Sequence, residues 1–210
     1  MLGKFITIEG NIGAGKTTLC QLLQRELGGQ LILEQFAENP FLPKFYRDRS
    51  KYAFPLELSF LAERFKQLKD ILNTGDLFSE YMISDYLFIK SKLFARVNLP
   101  DDEYHLYETL FDIIYPNLPE PDLVVYLHAP LSKLRRNITQ RNRSYEQNIE
   151  DQYLLELQDA YLQLIKSSKY RSLVVDTTQT DFLNNPSHLN QLIQALQKEY
   201  RPGWHYVQID

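Results

Sequence analysis

Near its start this 210-residue chain carries Ile8-Glu9-Gly10-Asn11-Ile12-Gly13-Ala14-Gly15-Lys16-Thr17-Thr18, which fits the phosphate-loop pattern G-x-x-x-x-G-K-[ST]. The apolar, β-rich residues 4–8 predict a strand before the loop, and leucines at helical spacing predict a helix after it. The pattern requires that strand-loop-helix context. The stretch therefore indicates a cradle for nucleotide phosphates.

The residue types of this loop suggest how phosphate is held. Glycines let backbone N–H groups turn inward, and the helix N-terminus adds a partial positive charge. We expect Lys16 to reach the β and γ phosphates and the Thr17 hydroxyl to coordinate Mg²⁺, a cation that prefers oxygen. The expected ATP-binding residues of the loop are Gly10, Asn11, Ile12, Gly13, Ala14, Gly15, Lys16, Thr17 and Thr18.

Length, charge and cysteine content limit the class of protein. No Pro- or Gly-rich linker divides the chain, so one α/β domain over 1–210 is expected. The net charge is −4, from 23 basic and 27 acidic side chains that are not segregated, which argues against a nucleic-acid partner. The single cysteine, the early first strand and the lack of any membrane-spanning apolar run predict a soluble, cytoplasmic protein.

Two carboxylates follow short apolar runs. Residues 31–33 predict a second strand ending at Glu34, and residues 81–84 predict a third strand leading to Asp85. Open α/β sheets bind ligands at the carboxyl ends of their strands, so Asp85 is a candidate for holding Mg²⁺ or its waters. A loop or capping role for Glu34 and a turn role for Asp85 are the alternatives.

The remaining apolar runs complete the predicted fold. Residues 123–127 and 173–175 predict the fourth and fifth strands, and helices are expected at about 53–73, 87–95, 101–115, 148–167 and 186–200. Strands separated by helices, without hairpin signals, predict a P-loop kinase fold: a five-stranded parallel sheet with helices on both faces. The tail 202–207 fits no element of this scheme.

An arginine-rich segment lies between the last two predicted strands, at 135–146. Four arginines fall within nine residues there: Arg135, Arg136, Arg141 and Arg143. Guanidinium groups bind phosphate oxygens in pairs, so the segment is typical of a lid that closes over a bound nucleotide. A solvated helix face is the alternative.

Taken together, these motifs resemble the deoxynucleoside kinase family, and specifically its bacterial deoxyguanosine and deoxyadenosine kinase branch, over nearly the whole chain. The shared motifs are the phosphate loop, the strand ending at Glu34, residues 39–46, the helix over 54–68 and the arginine lid with Glu146. The resemblance implies transfer of the γ-phosphoryl group of ATP to the 5′-hydroxyl of a deoxynucleoside. It also implies a homodimer, or a heterodimer with a related subunit, and feedback inhibition by a deoxynucleoside triphosphate.

The resemblance implies residue roles as well. Glu34 is the expected general base, Tyr46 and Glu146 the pair that holds the sugar 3′-hydroxyl, Glu57 and Arg64 the readers of the base, and Arg141 and Arg143 the catalytic lid arginines. Two positions depart from the family pattern. The acid-Arg-Ser triplet is Asp85-Tyr86-Leu87, so another cation must steady the 5′ end. The first lid arginine is Asn137, with Arg135 and Arg136 as candidate substitutes.

The carboxylate of Glu57 predicts the base, because most of the family carries glutamine there. A carboxylate only accepts hydrogen bonds, and guanine offers two adjacent donors. Arg64 could donate to the guanine carbonyl. The predicted substrate is deoxyguanosine, with deoxyinosine tolerated and deoxyadenosine or deoxycytidine second. The alternative is that Glu57 pairs with Arg64 or another cation outside the pocket.

Two rival functions share parts of this pattern. A nucleoside monophosphate kinase, such as a thymidylate kinase, has a phosphate loop and a lid, but the Glu34 carboxylate would repel the phosphate of its acceptor. A switch or regulatory subunit that binds ATP without transferring phosphate would have no use for the lid and the base-reading helix.

Overall fold

The computed structural model describes residues 5–35, 39–74 and 80–210 of the chain. The strands are β1 (Phe5–Gly10), β2 (Gln30–Ile32), β3 (Met82–Ser84), β4 (Leu123–His128), β5 (Arg171–Asp176) and β6 (Gly203–Val207). The helices are α1 (Lys16–Leu27), α2 (Leu42–Phe45), α3 (Arg49–Thr74), α4 (Lys90–Asn98), α5 (Asp101–Ile114), α6 (Leu131–Arg141), α7 (Asp151–Ser167) and α8 (Pro186–Leu196).

The strands form one parallel sheet in the order β2-β3-β1-β4-β5-β6. Alternate residues of β4 point into separate cores. Val124 and Tyr126 pack in the core that includes residues of α3, α4, α5 and α7, while Val125 and Leu127 pack in the core that includes residues of α1 and α8. Burial on both faces explains why the central strands are continuous apolar runs.

The prediction of five strands was wrong by one, because the chain adds β6 beside β5, with Val207 opposite Val175. β6 lies at the edge of the sheet, and its side chains alternate between half-buried and exposed: Trp204 is 47% exposed and Tyr206 58%. Such a strand has no continuous apolar run, so a pattern that seeks buried strands misses it.

Several helices begin or end at residues other than those predicted. α3 begins at Arg49, four residues early, and α4 covers Lys90–Asn98 rather than 87–95. Just before α4, the backbone N–H of Leu87 donates to the buried Glu9 carboxylate at 2.6 Å. The shift places Lys90 in the first turn of α4 and Asn98 in its last.

The predicted lid consists of α6 and a following 3₁₀ turn, Ser144–Glu146. Asn142 ends α6 in the left-handed conformation, with φ of 52°. In the described ranges, no helix is both long and apolar enough to cross a membrane. The loop after β1, the segments after β2 and β3, and the lid all border one cavity.

Candidate active site

The phosphate loop joins β1 to α1, as the sequence predicts. Gly13 has φ of 81°, and a Cβ there would lie 2.8 Å from the carbonyl oxygen of Leu134 in α6, so only glycine lets the lid helix approach so closely. The Asn137 side-chain amide donates to the Gly13 carbonyl oxygen at 2.7 Å. Asn137 therefore links the lid to the phosphate loop.

Lys16 folds back over this loop. Its ammonium donates to the carbonyl oxygens of Gly10 at 2.8 Å and Asn11 at 3.0 Å. Burial, and then the nearby Lys90 ammonium, lower the pKa of Lys16 to about 8. A bound phosphate would favour the charged form, so the site is electrostatically prepared for an anion.

Thr17 and Asp85, the predicted metal-binding pair, are in direct contact. The Thr17 hydroxyl donates to Asp85 Oδ2 at 2.5 Å, and the backbone N–H of Glu34 donates to Asp85 Oδ1 at 2.7 Å. Mg²⁺ commonly takes one or two protein oxygens and completes its shell with water and substrate phosphates. A hydroxyl and a carboxylate side by side next to the phosphate loop fit that requirement.

Glu34 lies between two cations. Arg64 donates to Oε1 through Nε at 2.8 Å and also through Nη2, and Lys90 donates to Oε2 at 2.7 Å. Burial alone would raise the pKa of Glu34, but Arg64 and Lys90 outweigh it and hold this pKa well below its usual range. The two cations therefore favour the ionised form of this carboxylate.

Arg64 faces Glu34 rather than the expected position of the base. Its Nη1 donates to the Ser91 hydroxyl at 2.7 Å, while Nε and Nη2 donate to Glu34 Oε1. Helix spacing correctly places Arg64 in the cavity wall, but the rotamer directs its guanidinium at the carboxylate. Arg64 thus links the helix that carries Glu57 to the end of β2.

Glu57 is buried in the wall of the same cavity. Asn98 donates to Glu57 Oε1 at 2.7 Å, and Arg49 donates to the Asn98 side-chain oxygen at 3.3 Å. Glu57 Oε2 is buried and accepts no hydrogen bond from the described residues. Burial raises the pKa of Glu57 to about 7, against the hydrogen bond from Asn98 and the charge of Arg64. Its hydrogen-bond partner is thus an amide, and its second oxygen is buried and unpaired within the described residues.

The predicted sugar-binding and lid residues also meet. Arg141 and Arg143 both form ion pairs with the buried Glu146 carboxylate, the second at 3.2 Å. The Tyr46 ring stacks on Tyr145 with centroids 6.1 Å apart, and burial raises the pKa of Tyr46 well above its usual value. Tyr46 is therefore a neutral hydroxyl beside an acidic group, which suits recognition of a sugar hydroxyl.

One cavity of about 1090 Å³ is bordered by the charged and polar side chains of the site: Lys16, Thr17, Glu34, Tyr46, Glu57, Arg64, Asp85, Lys90, Asn137, Arg141, Arg143 and Glu146. It extends from Glu57, Tyr46 and Glu146 past Glu34 to the phosphate loop, and on to residues 177–184 after β5. That loop was absent from the sequence prediction. Lys133 of α6 holds it by donating to the carbonyl oxygens of Thr177 and Thr180. The volume suits two ligands bound end to end.

The structure identifies the groups that stand at the two departures from the family pattern. Tyr86 is buried and donates to Gln67 at 2.8 Å, and Lys90 is the cation that joins Arg64 at Glu34. Arg135 pairs with Asp151, whereas Arg136 borders the cavity. Lys90 and Asn98 had no sequence signal, because each contacts a residue of another element: Lys90 reaches Glu34 after β2, and Asn98 reaches Glu57 in α3.

A model of the deoxynucleoside kinase family matches residues 6–200. The chain belongs to the deoxynucleoside kinase family. This kinase is 36% identical over 196 residues to the deoxyguanosine kinase of Bacillus subtilis (strain 168), an alignment that covers 90% of this chain and 93% of the relative. It is 31% identical over 196 residues to the deoxyadenosine/deoxycytidine kinase of the same organism, covering 91% and 90%.

The solved structures that this chain resembles include deoxyadenosine kinases, as do its sequence relatives. The deoxyadenosine kinase from M. mycoides with bound dATP superposes on this kinase with a TM-score of 0.79 at 26% identity, covering 92% of this chain and 100% of the other. The protein is therefore a phosphotransferase with an α/β fold that uses a nucleotide phosphate donor, and its acceptor is a nucleoside.

Proposed function

We propose that this kinase transfers the γ-phosphoryl group of ATP to the 5′-hydroxyl of a purine deoxynucleoside, and that deoxyguanosine is the preferred acceptor. The observation that carries the choice of base is Glu57, a buried carboxylate with one oxygen held by Asn98 and the other unpartnered. Guanine presents two adjacent N–H donors to such a group, whereas adenine presents a ring acceptor and would leave polar groups unpaired.

The proposed mechanism depends on alignment and charge, because the transition state of phosphoryl transfer is loose and its charge lies on the equatorial oxygens. Lys16, Arg141 and Arg143 would neutralise the phosphates. Mg²⁺, held at Thr17 and Asp85, would add positive charge to the phosphate oxygens. Tyr46 and Glu146 would hold the sugar 3′-hydroxyl at the other end of the cavity.

Glu34 would orient the 5′-hydroxyl by accepting its hydrogen bond. With Arg64 and Lys90 bound, this carboxylate is a weak base. We therefore infer that it takes the proton late, when the bond to phosphorus has made the hydroxyl acidic. Before that point its role is to align the oxygen.

The charge around Glu34 changes one argument from the sequence. Repulsion by this carboxylate was expected to exclude a monophosphate acceptor, but Arg64 and Lys90 together outweigh its single negative charge. The charge around Glu34 therefore discriminates less than expected between a nucleoside acceptor and a nucleoside monophosphate acceptor. Family membership favours the nucleoside instead, and a comparison of deoxyguanosine with its 5′-monophosphate as acceptors tests the choice.

We further propose that the chain acts as a single domain over 1–210, in the cytoplasm, as a homodimer or a heterodimer with a related kinase. An exposed apolar stripe on α5, formed by Leu106, Leu110 and Ile113, supports an interface between helices. Feedback inhibition by a deoxynucleoside triphosphate is supported by the M. mycoides deoxyadenosine kinase, which has been solved with dATP and with dCTP.

The experiment that tests this function measures ADP release by the purified protein with ATP and Mg²⁺, with and without deoxyguanosine. We expect ADP to accumulate only when the deoxynucleoside is added, with formation of its 5′-monophosphate. ADP release that is indifferent to every deoxynucleoside would favour the regulatory nucleotide-binding alternative.

A further inference from the structure

Lys90 combines two features that are unusual for a lysine. It is 4% exposed, and burial of an ammonium group is costly unless the group is paired. It is also the first residue of α4, where the helix dipole disfavours a positive charge. The ion pair with Glu34 offsets the cost of burial but not the unfavourable helix dipole, which suggests a role other than stability.

The hydrogen bonds of Lys90 are incomplete within the part of the chain that the structure describes. Its ammonium donates to Glu34 Oε2 at 2.7 Å and lies 5.8 Å from the centre of the Phe94 ring. An ammonium has three N–H donors, so two remain for a ligand or water. Because Lys90 borders the cavity, these donors are within the site rather than in the protein core.

The two cations at Glu34 act on different oxygens. Arg64, from α3, binds Oε1, and Lys90, from α4, binds Oε2. A carboxylate held at one oxygen can still rotate about its last bond, whereas one held at both cannot. The Lys90 charge also reaches the phosphate loop, since it contributes to the lowered pKa of Lys16. Lys90 therefore lies between the acceptor end and the donor end of the cavity.

We propose that Lys90 is a positioning residue for phosphoryl transfer: it fixes the second oxygen of Glu34 and completes its own hydrogen bonds with a ligand oxygen when the substrates are bound. The inference rests on the proposed role of Glu34. It assigns to α4 the cation that the segment Asp85-Tyr86-Leu87 does not carry.

The test compares Lys90→Met, Lys90→Gln and Lys90→Arg with a matched control, Lys92→Met. Lys92 lies in the same turn of α4 but is partly exposed and pairs with Glu108 at 2.6 Å. We expect Lys90→Met and Lys90→Gln to lower kcat about 10²-fold, as the loss of one preorganised donor does. KM for ATP should change at most a few-fold, Lys90→Arg should recover part of kcat, and Lys92→Met should stay within about twofold of the wild type.

A double-mutant cycle separates positioning from a general structural effect. If Lys90 acts through Glu34, adding Lys90→Met to Glu34→Gln should lower kcat little further. Fully additive losses, or a kcat of Lys90→Met close to that of the wild type, would overturn the inference. If Lys90→Met does not fold, the kcat of Lys90→Gln decides in the same way. A wild-type enzyme that phosphorylates no deoxynucleoside would instead refute the proposed function.

Discussion

The substitution Glu57→Gln tests the proposed recognition of the base, because it exchanges an acceptor for a donor at nearly constant volume. Asn98 donates to Glu57 Oε1 at 2.7 Å, so the amide oxygen of glutamine should take that position. The amide NH₂ must then stand where Oε2, the unpartnered oxygen, lies in the wild type. The orientation of the new side chain is therefore set by Asn98.

The size of the effect follows from this exchange. Guanine loses one hydrogen bond to a charged group, which contributes about 1.5–3 kcal/mol. At about 1.4 kcal/mol per factor of ten, kcat/KM for deoxyguanosine should fall roughly 10- to 150-fold. Adenine has a ring nitrogen that accepts a hydrogen bond from the new NH₂ group. The kcat/KM for deoxyadenosine should therefore stay unchanged or rise. The preference for deoxyguanosine should therefore shrink or reverse.

The assay is kcat/KM for each purine deoxynucleoside, measured by coupled ADP release at pH 8, above the Glu57 pKa of about 7. A second variant, Asn98→Asp added to Glu57→Gln, provides the control. Aspartate at position 98 accepts a hydrogen bond from the NH₂ group of the glutamine at position 57, so the amide of that glutamine should flip and present its oxygen to the base. That double variant should regain part of the preference for deoxyguanosine. An unchanged ratio of the two kcat/KM values in Glu57→Gln would refute the role of Glu57.

Three other outcomes are expected. Glu57 has a pKa raised to about 7 in the free enzyme, so kcat/KM for deoxyguanosine should rise as pH increases through 7 and the carboxylate forms, and a pH profile of Glu57→Gln should lack this limb. Lys16→Ala should fold, as circular dichroism would verify, but lose at least about 10²-fold in kcat, because Lys16 faces the cavity; near-normal turnover would exclude its phosphate role. Glu34→Gln should lower kcat roughly 10²- to 10⁴-fold with little change in nucleoside Kd; weakened binding with intact kcat would make Glu34 a binding group only.

Local sequence patterns predicted the parts of this protein that depend on local geometry. The phosphate loop is such a part, because its glycines, Lys16 and Thr17 are neighbours in the chain and form the loop by themselves. The sequence also indicated that Glu34 and Asp85 lie near each other, since carboxyl ends of parallel strands meet at one edge of a sheet. Their contact with each other follows from the order of β1, β2 and β3.

Tertiary packing determined what the sequence did not predict. Asn98 reaches Glu57 because α4 packs on α3, and no spacing in the chain encodes that contact. Arg64 lies on the expected helix face, but its rotamer depends on Glu34 and Ser91, which come from other elements. β6 was missed because an edge strand with one solvated face has no buried run.

Acceptor specificity tests the central claim most directly. The purified protein is incubated with ATP, Mg²⁺ and each of the four natural deoxynucleosides in turn, with deoxyguanosine 5′-monophosphate as a fifth acceptor, and the products are identified by mass and quantified by rate. The expected result is formation of deoxyguanosine 5′-monophosphate with the highest kcat/KM of the set. Preference for a pyrimidine deoxynucleoside or for the monophosphate acceptor, or no phosphorylated product at all, would contradict it.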